Sequence, residues 1–97
     1  MLSNELGRKF DEFSKAVQNN DIIDPKTITM LYLASSMAVG CYPWMEHFLG
    51  VAEEKGITEE EIGVIQAVVI AISGGRVRAQ FREVHKRFQT EKGQKKK

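Results

Sequence analysis

The sequence of 97 residues predicts an all-α domain, and two observations support this prediction. Apolar residues recur three or four residues apart along most of the chain, which is the spacing of one helix face. Residues typical of helix starts and ends separate these segments, and no segment reads convincingly as a strand. We therefore predict a compact bundle of about five helices that forms one domain over residues 1–97.

The first two predicted helices have recognisable starts and ends. Ser3 is the candidate N-cap of the first helix, and Asn19-Asn20 ends it. Asp24-Pro25 begins the second helix, with an N-cap aspartate followed by proline at the first helical position. Gly40 is the candidate C-terminal stop. The apolar stripe of the first helix, called the α1 stripe below, consists of Leu6, Phe10, Phe13 and Val17.

The third and fourth helices follow the same logic. The third begins near Cys41, tolerates Pro43 in its first turn and ends at Gly56. A capping box formed by Thr58 and Glu61 opens the fourth helix. Because this helix is apolar on nearly every side, we predict that it is the central helix of the bundle.

A fifth helix is expected after Gly74-Gly75, which we predict to break the pattern. It extends over about residues 76–92 and carries an apolar stripe of its own. Residues 93–97 are predicted to be a disordered basic tail. The fifth helix's stripe consists of Val77, Phe81, Val84 and Phe88.

Composition limits the class of protein. The formal net charge of +1 gives no general attraction to nucleic acids or membranes. The single cysteine excludes an intrachain disulfide and fits a reducing compartment. The N-terminus lacks the features of a signal peptide, and the apolar stretch over residues 64–72 is too short to span a bilayer. We expect a cytoplasmic protein without a membrane partner.

The basic C-terminal region has two interpretations. Residues 76–97 contain nine lysines and arginines against two glutamates, which would suit a nucleic-acid surface. However, Phe81 and Phe88 share an apolar stripe and form no platform for stacking bases. We predict a solvated helix and no nucleic-acid partner.

Two predicted helices are too broadly apolar for so small a bundle. The second and the fourth carry apolar residues around much of their circumference, and a subunit interface explains this pattern. The alternative is that both helices fill the core. We expect a homo-oligomer.

Cys41 is the main candidate for chemistry. It follows Gly40 at the start of the third helix, where the helix dipole favours a thiolate. At about 100° per residue, Trp44 and Phe48 lie on its side of the helix and His47 does not. Apolar neighbours favour the neutral thiol, so a reactive cysteine and a buried structural one both remain open.

The aromatic residues near Cys41 also allow two interpretations. Tyr42, Trp44 and Phe48 can line a pocket for an apolar ligand, or they can pack in the core. His47 is a candidate general base or a partly exposed polar residue. The two histidines and the cysteine lack the spacing of metal ligands, so we predict no metal and no cofactor.

Residues 24–79 resemble the carboxymuconolactone decarboxylase-like family, which includes alkyl hydroperoxidase D. The resemblance implies an all-helical domain that assembles as trimers or hexamers, with a cavity at the edge of the third helix. It is carried by Asp24-Pro25-Lys26-Thr27, by Ala38-Val39-Gly40-Cys41 before a histidine-bearing helix, by residues 54–62, and by an apolar helix that ends in Ser73-Gly74-Gly75.

The redox members of that family are similar to one another at four positions, and this chain keeps one of them. Cys41 matches the first cysteine of their CxxC motif, whereas the second cysteine falls on Trp44. The family's histidine falls on Phe48 and its glutamate on Thr29, and His47 stands one residue early. The site implied by the resemblance thus has Cys41 and His47 as candidate catalytic residues, beside a pocket of Tyr42, Trp44, Phe48 and Thr29.

Three functions follow from the resemblance and the residues. The first is a thiol-dependent peroxidase or disulfide reductase with a single remaining cysteine. The second is a non-redox small-molecule binder, or a decarboxylase-type enzyme, that uses the aromatic pocket. The third is a catalytically inactive structural or interaction member of the family.

Overall fold

The computed structural model describes residues 2–95, which form four helices and no strand. Helix α1 spans Asn4–Gln18, α2 spans Pro25–Val39, α3 spans Tyr42–Glu54 and α4 spans Glu59–Lys95. The predicted all-α class is therefore confirmed over the described part of the chain.

The helices start where the sequence predicts. The hydroxyl of Ser3 accepts a hydrogen bond from the backbone N–H of Leu6 at 3.2 Å. At the start of α4, the Thr58 hydroxyl accepts from the Glu61 N–H at 3.1 Å, and the Glu61 carboxylate accepts from the Thr58 N–H at 3.0 Å. These reciprocal bonds satisfy two backbone donors that a helix start otherwise leaves unpaired.

Two glycines form the tight ends of α2 and α3. Gly40 has a φ of 70° and Gly56 a φ of 73°, in the left-handed region that other L-residues rarely adopt. At the end of α2, the N–H groups of Gly40 and Cys41 donate to the carbonyl oxygens of Met37 and Ser36. This turn fixes the position of Cys41 between the end of α2 and the start of α3.

Helix α2 is the central helix of the fold, so the prediction that the fourth helix is central is wrong. Its backbone runs beside each of the other three helices within the described residues. The buried core joins Leu33 of α2, Phe48 of α3 and Ile65 of α4. Apolar residues on every side of α4 indicate that it needs burial, but they do not indicate which molecule supplies it.

The predicted break at Gly74-Gly75 is also wrong, because α4 is one continuous helix. A glycine inside a helix costs about 1 kcal/mol relative to alanine, which is too little to interrupt a helix with good formers on both sides. Residues 93–95 belong to this helix, whereas Lys96 and Lys97 of the predicted tail lie outside the described residues.

The long α4 makes the molecule elongated and not compact as predicted. At 1.5 Å per residue α4 is about 55 Å long, and the principal extents of the chain are 63 × 40 × 25 Å. The radius of gyration is 20.1 Å, whereas a compact domain of this length has about 12–13 Å.

Helix α4 also bears on the expected location. Within the described residues, Glu59–Gly93 is long and apolar enough to cross a membrane by length and composition alone. Core helices of soluble proteins meet the same criterion, so the length and composition of α4 do not distinguish a membrane span from a core helix. A cytoplasmic location stays a prediction.

Candidate functional site

A pocket of about 340 Å³ lies between α1, α2 and the start of α3. Its walls are mostly apolar, and one side is open to solvent. Each of the three helices contributes part of the wall, so the pocket exists only when the fold is assembled. The lining residues are Phe10, Phe13 and Ser14 from α1; Tyr32, Ser35, Ser36 and Val39 from α2; and Cys41 and Trp44.

A stack of aromatic rings holds one wall of the pocket in place. The Phe48 ring is stacked against Tyr32, with 4.6 Å between centroids, and against Trp44 at 5.5 Å. Phe48 itself is only 2% exposed and belongs to the core. Because such pairs add favourable contact beyond area burial, the core orients the rings that face the pocket.

Cys41 contributes the thiol of the pocket. It is a free cysteine, half-buried, at the N-cap position of α3. Its side chain makes no capping hydrogen bond to the first turn. The backbone N–H of Cys41 donates to the Ser36 carbonyl at 2.9 Å, which ties the residue to the end of α2. A sulfur here lies near the positive end of the α3 dipole.

The structure brings only two of the sequence-predicted site residues, Cys41 and Trp44, into the pocket lining. His47 is exposed and lies edge-on to the Trp44 ring at 5.7 Å. Among the described residues, no hydrogen bond joins His47 to Cys41. Tyr42 is 76% exposed and lies outside the lining. Thr29 is buried, and its hydroxyl donates to the Pro25 carbonyl at 2.8 Å.

Several lining residues escaped the sequence reasoning. Tyr32, Ser35, Ser36 and Val39 follow the spacing i, i+3, i+4 and i+7, so a wheel of α2 places them on one face. Phe10 belongs to the predicted α1 stripe, but a stripe does not tell which helix it meets. The periodicity was therefore present, and the pairing of helices was missing.

The two carboxyl groups whose pKa values are lowered lie at helix starts and not in the pocket. Hydrogen bonds from Thr27 lower the pKa of Asp24 at the N-cap of α2. The backbone N–H of Thr58 lowers the pKa of Glu61, and Lys26 lies 3.5 Å from the same carboxylate. These carboxylates stabilise helix ends, and the Lys26–Glu61 pair joins the start of α2 to the start of α4.

Over the residues that the structure describes, no three side chains of histidine, cysteine, aspartate or glutamate come together as a cation site. The pocket lining itself offers one thiol, four aromatic side chains and a few hydroxyl groups.

Comparison with known protein families gives a match over most of the chain. The model of the carboxymuconolactone decarboxylase family matches residues 4–86, which include α1, α2, α3 and most of α4. No curated protein and no solved structure matches the chain. The matched range contains every residue that lines the pocket.

Proposed function

The chain belongs to the carboxymuconolactone decarboxylase family, and we propose that its pocket beside Cys41 binds a small, largely apolar molecule without redox chemistry. The observation that carries this proposal is the pocket itself. It joins three helices, has mostly apolar walls and lies where the family resemblance implies a cavity. Small-molecule sites are typically concave, apolar and provided with a few polar groups.

The size and chemistry of the lining suggest the class of ligand. The pocket volume of about 340 Å³ is roughly twice that of an engineered cavity of about 150 Å³ that binds benzene. The Ser36 hydroxyl donates to the Leu33 carbonyl at 2.7 Å and is thus already engaged. Ser14 and Ser35 supply further hydroxyls to the lining. A ligand of one or two rings, or a short alkyl chain, with one hydroxyl or carbonyl group fits this lining.

The only tryptophan of the chain gives a direct assay, because Trp44 lies in the pocket wall. We would titrate the protein with uncharged alcohols from butanol to decanol and follow tryptophan emission and the melting temperature. Binding is expected to shift the emission and to raise the melting temperature, more strongly as the alkyl chain lengthens. A ligand at 100 times its dissociation constant stabilises by about 2.7 kcal/mol.

Two matched variants separate the pocket from other apolar surfaces. Ser35→Phe places a ring in the pocket and is expected to abolish the response. Ala38→Phe places the same ring on α2 outside the lining and is expected to leave it unchanged. If both variants respond like the parent protein, the alcohols bind elsewhere and the proposal is wrong.

A second candidate is the thiol-dependent peroxidase or disulfide reductase with one cysteine. The observation that favours it is the position of Cys41, half-buried in the pocket wall at the start of α3. In the peroxidase reaction the thiolate attacks a hydroperoxide oxygen, an S–O bond forms, the O–O bond breaks and an alcohol leaves. Two equivalents of an external thiol then reduce the sulfenic acid: the first displaces water and forms a mixed disulfide with Cys41, and the second releases the Cys41 thiol and leaves as a disulfide of the two external thiols.

The absence of a second thiol from the chain weighs against this candidate. Trp44 stands where the resemblance places the second, attacking cysteine, and Phe48, at the position of the family's histidine, is part of the core. The pH dependence of Cys41 alkylation in the folded protein decides the matter. A rate that reaches its plateau below about pH 7 supports a stabilised thiolate, and a thiol that reacts only in denaturant excludes it. The third function, a catalytically inactive structural or interaction member of the family, predicts neither ligand binding nor thiol reactivity.

A further inference from the structure

Two exposed apolar stripes of the chain have the same pattern. In the α1 stripe, Leu6, Phe10 and Phe13 are 54–64% exposed. Residues 76–93 of α4, called the α4 extension here, carry a second stripe whose members are 55–66% exposed. Both stripes follow the spacing 4-3-4 over the same number of residues, which is the seam spacing of packed helices. The second stripe consists of Val77, Phe81, Val84 and Phe88.

The chain exposes more surface than a compact monomer of its mass. The accessible surface is 8220 Å², whereas a folded monomer of this mass exposes about 5,600 Å². The excess is roughly 2,600 Å² per copy, or about 5,200 Å² for two copies, which is at the upper end of the total area that obligate homodimer interfaces bury. A second copy of this chain therefore accounts for the missing burial without any further component.

The chain cannot bury the two stripes against each other by itself. Helix α4 runs straight through Gly74-Gly75 and makes its backbone contacts with α2 only, among the helices of the described residues. Over the same described residues, the backbone of α1 likewise comes close to that of α2 alone. A return of the α4 extension to its own α1 would require a break in α4 that the structure does not have. The cover for each stripe must come from another molecule.

Charge decides which helix of a second copy fits the α4 extension. The extension carries six basic and two acidic residues, so two extensions side by side repel each other. Helix α1 carries three acidic and three basic residues and presents no such repulsion. Its Arg8 and Lys15 project opposite the α1 stripe, at about 180° on a wheel of 100° per residue. The α1 stripe of a second copy is thus a better packing partner for the α4 extension than another extension is.

We propose that the α4 extension of one copy packs on the α1 stripe of a second copy and closes the open side of the Cys41 pocket. Phe10 and Phe13 belong both to this stripe and to the pocket lining, so a helix laid on the stripe borders the pocket. The partner subunit then completes the site. The pairing suits a two-fold dimer, in which each copy gives one extension and receives one. It equally suits a larger ring such as the trimer or hexamer that the family resemblance implies.

The test uses the full chain and its mass in solution, measured by size-exclusion chromatography with light scattering. The parent protein is expected to have the mass of two or more copies. Leu6→Glu and Phe81→Lys each place a charge in one stripe, and both are expected to be monomeric and still helical. Ala79→Asp places a charge on the opposite face of the α4 extension and is expected to leave the mass unchanged.

Mixing the two monomeric variants tests the pairing itself. One of the two contacts in a mixed dimer joins an intact α1 stripe to an intact α4 extension, so the mixture is expected to regain a mass above the monomer. If Leu6→Glu remains assembled while Phe81→Lys does not, the extension meets something other than α1 and the proposal is wrong. A parent protein that is monomeric at tens of micromolar, or that assembles only on phosphatidylcholine vesicles, also overturns it.

Two single residues report whether the partner closes the pocket. Trp44 and Cys41 are the only tryptophan and cysteine of the chain, and both line the pocket. In Phe81→Lys, which leaves the lining of its own pocket unchanged, Trp44 emission is expected to move to longer wavelength and Cys41 alkylation to accelerate severalfold. If Phe81→Lys becomes monomeric while neither signal changes, the interface of the parent protein does not cover the pocket, and the proposed closure is wrong. Because these measurements use no ligand, they do not depend on the proposed binding function.

Discussion

Replacing Gly75 by alanine tests the continuity of α4, on which the elongated shape depends. Gly75 is exposed in the middle of the helix, and an added Cβ meets no atom within 4 Å. The change therefore costs nothing in sterics and removes the penalty of glycine in a helix, so we expect a gain of about 1 kcal/mol. For a domain of this size that gain raises the melting temperature by about 4–8 °C. Urea unfolding followed by far-ultraviolet circular dichroism, at one fixed protein concentration, measures the gain in the free energy of unfolding.

A glycine of the opposite kind provides the control. An added Cβ at Gly40 also meets no atom within 4 Å, but φ is 70° there. Alanine at this position is expected to lose about 1–2 kcal/mol, because the left-handed conformation is strained for L-residues. The two substitutions are identical in chemistry and opposite in expected sign. If Gly75→Ala destabilises the protein as Gly40→Ala does, the chain turns at Gly74-Gly75 and the continuous helix is wrong.

Three further outcomes follow from the packing and the helix caps. Leu33→Ala, at the fully buried centre of α2, is expected to cost about 2–5 kcal/mol in chemical unfolding; a cost below 1 kcal/mol would contradict the central role of α2. Thr58→Ala removes one partner of the capping box and is expected to cost about 1 kcal/mol in the same assay. The lowered pKa values of Glu61 and Asp24 mean that the unfolded chain binds protons more readily, so stability is full above their ordinary values of 4.5 and 3.8 and falls as pH drops through the folded values. Glu61→Gln is expected to flatten this acid loss as the pH falls below 4.5, and a pH profile identical to that of the parent would refute the assignment.

The starts and ends of the helices were predictable because they depend on a few neighbouring residues. Asp24 and Thr58 cap their helices through side chains that bond to the backbone three residues away. Gly40 and Gly56 adopt the positive φ that ends α2 and α3. These interactions are local, so the sequence around each position contains all the information that they need.

The arrangement of the helices was not predictable in the same way. The apolar character of α4 suggested a central helix, although α2 is central and α4 exposes residues such as Val68 and Ile72. An apolar helix face predicts that the face is buried, but it does not predict which other surface packs against it. Similarly, Gly74-Gly75 has the composition of a turn, but its small penalty is outweighed by the residues on both sides.

The candidate site was predicted in part. Cys41 and Trp44 were singled out from their position at the start of α3, and both lie in the pocket. The wall formed by Phe10 and Tyr32 was missed, because it depends on α1 meeting α2 across a loop. A contact between distant segments leaves no trace in the spacing of either segment alone.

The attachment of α1 on one side has a kinetic consequence. Among the described helices, the backbone of α1 comes close to that of α2 alone, so α1 can detach with little change in the backbone packing of α3 and α4. No residue of α1 is buried, so this opening is among the least costly that the fold allows. Each such opening removes one wall of the pocket. In an isolated copy, a bound molecule would therefore have two exits, the open side of the pocket and the gap left when α1 detaches. In the proposed assembly a neighbour covers both, so exchange would slow as the concentration of the protein itself rises.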